Sequence, residues 1–409
     1  MFLLLSLDLS AQTLTLEQVY QMARDNYPLV KQKGLISKLG DLSIQNIAKG
    51  TLPQLSINGQ ATYQSEVTEI PIKLPNQNIP QLSKDQYKVY AEAVQPLTDL
   101  ITIKIQKELQ EATNQNATDN LEAELYKVRE RVNTIYFGIL LLEEQRKQNA
   151  LTKQDIENGI KKVNAAIKNG TDFRSSADKL RAESLKIDQR DIELSSNRKA
   201  YLDILSLFIG QSLSETTQLE LPQPDPIQTS INRLELKAFS SQQKMYDVQT
   251  RLLNTKTLPK FSIFLQGGVG RPALNMLNND FRFYYLGGLR LNWSLSNYYT
   301  NKREKNLLDI NKEMVAVQKE RFVFDTNLLL QQAMAEVTKL QNLLDTDQQI
   351  LTLRTSVKNA ATAQLENGVI TVNDYLREVL SEENARQQAI LHNIQLLQAR
   401  QILKTIAGN

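Results

Sequence analysis

Thr51-Leu52-Pro53-Gln54-Leu55-Ser56-Ile57 returns 206 residues later as Thr257-Leu258-Pro259-Lys260-Phe261-Ser262-Ile263. Two further matches follow in the same order at an offset of 198. They are Asn169-Gly170 with Asn367-Gly368, and Leu205 to Gly210 (LSLFIG) with Leu403 to Gly408 (LKTIAG). The offset shrinks because the loop at about 68–84 is longer than its counterpart at about 271–281. Three ordered matches mark an internal duplication, the feature whose omission misreads a whole fold. Each half reads helix, strand, loop, strand, long helix, turn, helix.

Past the Leu-Pro entries the pattern has period two. Leu55, Ile57, Gly59, Ala61 and Tyr63 alternate with Ser56, Asn58, Gln60, Thr62 and Gln64. Phe283, Tyr285, Gly287, Leu289, Leu291 and Trp293 alternate with Arg282, Tyr284, Leu286, Gly288, Arg290 and Asn292. Residues 85–95 and 259–270 show the same pattern less cleanly. Such strands have one apolar and one polar face, and their length suits a tilted transmembrane strand. In that setting Leu55, Ile57, Tyr63, Phe283, Tyr285, Leu289, Leu291 and Trp293 face lipid, with Tyr63, Tyr285 and Trp293 in interfacial girdles. A half-buried soluble sheet would alternate in the same way. Four strands cannot close a barrel, and open edges are forbidden in lipid, so a membrane reading requires several chains to share one barrel. The number of chains is not written in the sequence.

The helices are long. No proline lies between Leu97 and Asn169, and the only interior glycines are Gly138 and Gly159. Leu121, Leu125, Val128, Val132, Ile135, Ile139 and Leu142 keep four-three spacing, and Ile156, Ile160, Val163 and Ile167 resume it. In the second half Val323, Leu330, Ala333, Val337, Leu340 and Leu344 hold the same register. This is coiled-coil patterning, over roughly 70 residues or about 105 Å of helix.

Composition narrows the function. Net charge is +3 over 409 residues, with no basic stripe, which argues against nucleic acid. There is no Cys and one His, His392, which reads as a solvated helix position. Zinc sites of Cys and His and Cys nucleophiles are excluded. The pairs Glu143-Glu144 and Glu382-Glu383 diverge on a helix, and no phosphate loop or metal motif appears. An enzyme, a cofactor and a metal are therefore not expected. Met1 to Ala11 reads as a truncated secretory signal cut after Ala11, its full start upstream. No other run is apolar enough for a transmembrane helix.

From Leu14 onward the chain resembles the TolC-like outer-membrane efflux channel family. The duplication, the entries Leu52-Pro53 and Leu258-Pro259, the glycine of each helical tip and the Ile-Gly or Ala-Gly helix ends carry the resemblance. It implies a mainly α fold with membrane β: long coiled-coil hairpins forming an α-barrel, and four strands per chain in a shared twelve-stranded barrel. It implies a homotrimer in the bacterial outer membrane with a large periplasmic extension, acting as a passive conduit in tripartite efflux or type I secretion. The partners implied are outer-membrane lipid, a periplasmic adaptor and an inner-membrane pump of the RND or ABC type. Adaptor docking maps to Asn169, Gly170 and Thr171 and to Asn367, Gly368 and Val369. Family members often carry an Asp six residues past the tip glycine, at the periplasmic mouth. Here it is Asp374, while the first repeat has Ser176, with Asp172 and Asp178 nearby but out of register. A further carboxylate is replaced by Arg377, so the mouth candidates are Asp172, Ser176, Asp374 and Arg377.

The expected organisation is a signal at 1–11, a first repeat at 12–210, a Pro-rich equatorial connection at 211–230 and a second repeat at 231–409. The first repeat holds strands at about 52–67 and 85–97, a long helix at 98–168, a tip at 169–171 and a return helix at 172–209. The second holds strands at about 258–270 and 282–295, a long helix at 297–366, a tip at 367–369 and a return helix at 370–407. The competing reading is a soluble or periplasmic coiled-coil structural or adaptor protein. It explains the heptads but not four amphipathic strands placed symmetrically among them.

Overall fold

The computed structural model describes residues 13–68, 82–223, 226, 228 and 230–409. The signal at 1–11, the middle of the first strand loop and part of the Pro-rich connection lie outside them. The chain forms two compact units.

One unit, Lys33–Asp119 with Lys237–Gln318, contains a four-stranded sheet. Its strands are β2 (Gln54–Tyr63), β3 (Asp85–Pro96), β5 (Lys260–Arg271) and β6 (Arg282–Asn292), numbered after β1 (Thr13–Leu14) and β4 (Gln218–Leu219) of the other unit. The sheet order is β2-β3-β5-β6, antiparallel throughout. The two hairpins of the duplication therefore join through β3 and β5, with Ala91 opposite Gly267 and Ala93 opposite Leu265. Proline fixes where two strands begin: Pro53 and Pro259 lack an N–H and precede the first paired residues, Gln54 and Lys260. β6 ends at Asn292, so Trp293, expected inside the strand, lies one residue beyond it. There its indole N–H donates to the Thr257 carbonyl at 3.1 Å. α2 (Lys31–Lys49) and α6 (Leu234–Thr255) begin outside this unit's bounds and run into it. α2 buries Gly40 against the Asn114 side chain, where a Cβ would collide with the amide.

The other unit comprises the chain through Gln32, Asn120–Leu236 and Lys319–Asn409. α1 (Leu16–Asn26) opens with a capping box: Thr15 accepts from the Gln18 N–H, and the Gln18 side chain accepts from the Thr15 N–H. Its Val19, Tyr20 and Ala23 pack into one apolar cluster with Val132, Tyr136 and Ile139 of α4 (Val128–Lys168) and Leu202 and Leu205 of α5 (Arg174–Ile209). β1 and β4 pair in parallel over two residues, and Tyr136 Oη donates to the carbonyls of Leu14 and Glu220. This small sheet has no sequence counterpart, because two residues cannot display a period. A second cluster joins Ile156, Val163, Leu180 and Ile187 to Ala361, Val372, Tyr375 and Val379.

Four long helices follow the heptads, with one difference. The outgoing helix of the first repeat divides at Lys127 into α3 (Asp99–Tyr126) and α4, where Lys127 N–H bonds Glu124 O and Glu130 N–H bonds Lys127 O. These i→i−3 bonds tighten the turn. Around it, Arg129 stacks on Tyr20 and Tyr126 at 4.8 and 5.0 Å, and Arg233 covers Tyr126 at 5.2 Å. The equivalent helix of the second repeat, α7 (Asn297–Glu366), is unbroken over 70 residues, and α8 (Val372–Ala407) returns from it. The duplication reappears in backbone angles: Gly170, Gly210, Gly368 and Gly408, two pairs 198 apart, all have positive φ.

His392 is a correction. The sequence reading makes it a solvated helix position, yet its side chain is 19% exposed and its Nδ1 lies 2.6 Å from Asp347 Oδ2. Asp347 continues the α7 heptad seven residues past Leu340, so the seam places a carboxylate where α8 presents the imidazole. The four carboxylates named above are also engaged: Glu143 with Arg198, Glu144 with Lys147, Glu382 with Arg386, and Glu383 with Arg190.

Candidate functional site

Two regions have functional geometry, the sheet and the pair of helical tips. In the sheet, cross-strand partners share a face, so the register assembles the two surfaces. One face carries the rows Leu55–Ala93–Leu265–Gly287 and Ile57–Ala91–Gly267–Tyr285, with Ile263 opposite Leu289, Phe261 opposite Leu291 and Val269 opposite Phe283. Leu55, Ile57 and Tyr63 are 79–82% exposed; Phe283, Tyr285, Leu289, Leu291 and Trp293 are also exposed. A contiguous apolar surface of this kind marks an interaction face, for a membrane or for another protein surface. The opposite face bears Gln54, Ser56, Asn58 and Gln60 on β2 and Glu92 on β3, which accepts from Gln266 at 2.9 Å and from Arg290 at 2.8 Å. The sheet has two open edges, β2 and β6, each with a full row of backbone groups unpaired within the chain. No helix among the described residues is long and apolar enough to cross a membrane, and no cluster of metal-ligating side chains occurs among them.

The tips are built alike. At the end of α4, Asn169 is the C-cap and Gly170 has φ +74°. Gly170 N–H bonds Ile167 O at 3.0 Å, and Thr171 N–H bonds Ala166 O at 2.9 Å. At the end of α7, Gly368 has φ +69°, Gly368 N–H bonds Leu365 O at 3.1 Å, and Val369 N–H bonds Gln364 O at 2.8 Å. Both are Schellman caps, which need a left-handed residue at C′ and so favour glycine. A Cβ at either glycine would meet no atom within 4 Å, so the space beyond is open.

The return helices start differently. α8 opens with a capping box in which Thr371 accepts from Asp374 N–H at 3.2 Å and Asp374 Oδ2 accepts from Thr371 N–H at 3.3 Å, and the Thr371 hydroxyl also donates to Asp374 Oδ2 at 2.7 Å. These bonds from Thr371, with Arg377 at 3.7 Å, hold the Asp374 carboxyl below its ordinary value. Within one chain, then, Asp374 is a charged capping residue. α5 has Phe173 at the equivalent position, with no side-chain cap. Asp172, one residue earlier, accepts instead from Phe173 N–H at 2.6 Å and from the Ser176 hydroxyl at 2.7 Å. Asp172 and Ser176 thus form one local turn, and Arg377 also reaches Glu378 at 3.2 Å. Phe173 and Val369 project into solvent, 80% and 70% exposed. The sequence reading passed over Phe173; its signal is an aromatic immediately after a turn, outside the heptad stripe.

The two tips are tied to each other behind these turns. Lys162 of α4 pairs with Glu366 of α7, Lys358 with Asp155 at 2.8 Å, and Lys179 donates to Asn373 at 3.1 Å. Tyr375 of α8 lies against Gly159 of α4, where a Cβ would come within 3.1 Å of the ring. Burial first, then Asp155 and Glu366, pushes its hydroxyl up to about 12, so it stays a neutral donor to the Asp155 carbonyl.

No protein-family profile matches the chain, and no curated protein matches it by sequence. Solved structures do. The outer membrane protein VceC from Vibrio cholerae superposes with a TM-score of 0.68 at 11% identity, covering 96% of each chain. The CmeC outer membrane channel of Campylobacter jejuni gives 0.64 at 14% identity, covering 96% of this chain and 85% of that one. The open MtrE outer membrane channel of Neisseria gonorrhoeae gives 0.65 at 14%, covering 96% and 89%. The chain shares the fold of these channels.

Proposed function

We propose that this chain, folded as those outer-membrane channels are, is one protomer of a trimeric conduit. It would carry solutes across the periplasm and outer membrane for an inner-membrane pump. The sheet carries the proposal: four antiparallel strands, an exposed apolar face, a polar face and two unpaired edges. In water such edges invite aggregation; in lipid every backbone group must be paired, which requires closure. Because the four strands alternate in direction, β2 and β6 run oppositely. The β6 of one copy therefore pairs antiparallel with the β2 of the next, and a ring of copies closes without a mismatch. A twelve-stranded barrel from three copies is the closure that the family resemblance implies.

The tips support the second half of the proposal. Two structurally equivalent Schellman turns per chain would give six in a trimer, each presenting an open glycine beside an exposed Phe173 or Val369. A ring of adaptor hairpins fits such a surface, and Gly170 and Gly368 are assigned to docking. Asp374 is assigned to the mouth, where three copies would surround the axis. The pump is of the RND or ABC type.

Fractionation of cells after chemical crosslinking tests the proposal. The protein is expected in the outer-membrane fraction as a crosslinked trimer. Recovery of uncrosslinked protein in the soluble periplasmic fraction would overturn it.

A further inference from the structure

We infer that the polar face of the sheet is an anion-selective lining, with Lys88 and Arg282 as its principal ring, which favours passage of anionic solutes. The inference rests on the barrel reading above, in which this face lines the lumen.

The polar face of the four strands carries Lys88, Lys260, Arg282 and Arg290 against a single carboxylate, Glu92. Glu92 is already held by Arg290 at 2.8 Å, and Lys260 pairs with Asp99, beyond the strands, at 3.3 Å. Among the described residues Arg282 has only Asp280, at 3.9 Å, with both side chains largely exposed. Lys88 has no ion-pair partner among the described residues. Gln60, Lys88, Gly270 and Arg282 form one cross-strand row. A Cβ at Gly270 would meet Lys88 Cγ at 3.1 Å, so the lysine stem lies beside the bare glycine that separates it from Arg282. Two strand spacings put the two backbones about 10 Å apart. Like charges gathered on one sheet face repel, and a passing anion relieves that repulsion. The row is invisible in linear sequence, because its two cations stand 194 positions apart and only the β3–β5 pairing brings them onto one surface.

Scale supports an effect on transport. Twelve strands tilted by about 40° close at a backbone radius of about 12 Å. The Debye length is about 10 Å at 0.1 M salt and about 3 Å at 1 M. At low salt the wall charge therefore reaches ions across the whole lumen, and at high salt it does not.

The test is the reversal potential of the detergent-extracted protein in planar bilayers under a KCl gradient. The wild type should reverse towards the chloride equilibrium potential, less so as total salt rises towards 1 M. The double variant Lys88→Gln with Arg282→Gln should shift towards potassium. A Lys88→Cys variant, in a chain with no native cysteine, should shift one way with an anionic thiol reagent and the other way with a cationic one. The same measurement in an Asp374→Ala background removes the carboxylates assigned to the mouth; potassium preference in that background, or Lys88 and Arg282 variants that reverse at the potential of their parent, would overturn the inference while leaving the conduit intact. Absence of any conductance would strike the conduit reading itself.

Discussion

Replacing Leu265 by Arg separates a lipid-facing sheet from a water-facing one. Leu265 lies at the centre of β5, opposite Ala93 and Gly287, and is 59% exposed in the single chain. If that face meets lipid near the midplane, an arginine there costs about 2–4 kcal/mol. That is about 30-fold to several-hundred-fold in the folding equilibrium of each chain, and three chains share one barrel. If the face meets water, a Leu→Arg change at an exposed site stays within about 0.5 kcal/mol. The neighbouring Gln266 points to the other face and donates to Glu92 at 2.9 Å; Gln266→Arg retains a donor there and should cost little under either reading. The assay is urea-dependent folding into lipid vesicles, with the yield of assembled species read on unheated gels. Leu265→Arg should fall far below wild type and Gln266→Arg should remain close to it. Equal yields from the two variants would refute the assignment of faces.

Gly170→Trp and Gly368→Trp should impair efflux while expression and assembly persist, since each turn has open space for the ring and the left-handed backbone there costs a non-glycine residue only about 1–2 kcal/mol at the end of a long helix; normal efflux by both variants would remove the docking assignment. Asp374→Ala should change single-channel conductance or its cation dependence and loosen the first turn of α8, seen as faster amide exchange; unchanged conductance would leave Asp374 a helix cap only. Glu383, buried beside Arg190, has its carboxyl raised by burial. A raised folded-state value means that its contribution is most favourable in acid and is lost as pH rises through that value. Glu383→Gln should therefore gain stability over wild type at neutral pH, and the gain should vanish on acidification; a pH-independent difference would show that titration of Glu383 is not involved.

The fold class was legible because duplication, period two and heptads are all local patterns. Leu55 to Tyr63 declares a strand by alternation alone, and Asn-Gly declares a turn because few residues tolerate the left-handed backbone that Gly170 and Gly368 adopt. What stayed hidden depends on distant partners. The joining of the two hairpins through β3 and β5 leaves no trace in either strand. The break at Lys127, beside which Arg129 and Arg233 stack on Tyr126, is not signalled by the heptad, which runs through it undisturbed. His392 looked solvated because its partner, Asp347, lies 45 residues away on another helix. At the tips the residue types were visible but their roles were not. Asp374 is bonded to Thr371 three residues before it, a capping-box spacing the sequence contained but whose occupancy only geometry shows.

The native mass of the detergent-extracted protein tests the central claim most directly, because four strands with two open edges cannot stand alone in a membrane. The account predicts a particle whose protein mass is about three times 46.6 kDa, the mass of the given sequence, dissociating only on denaturation. A monomer that is stable in water without detergent and keeps both its helices and its strands would contradict it.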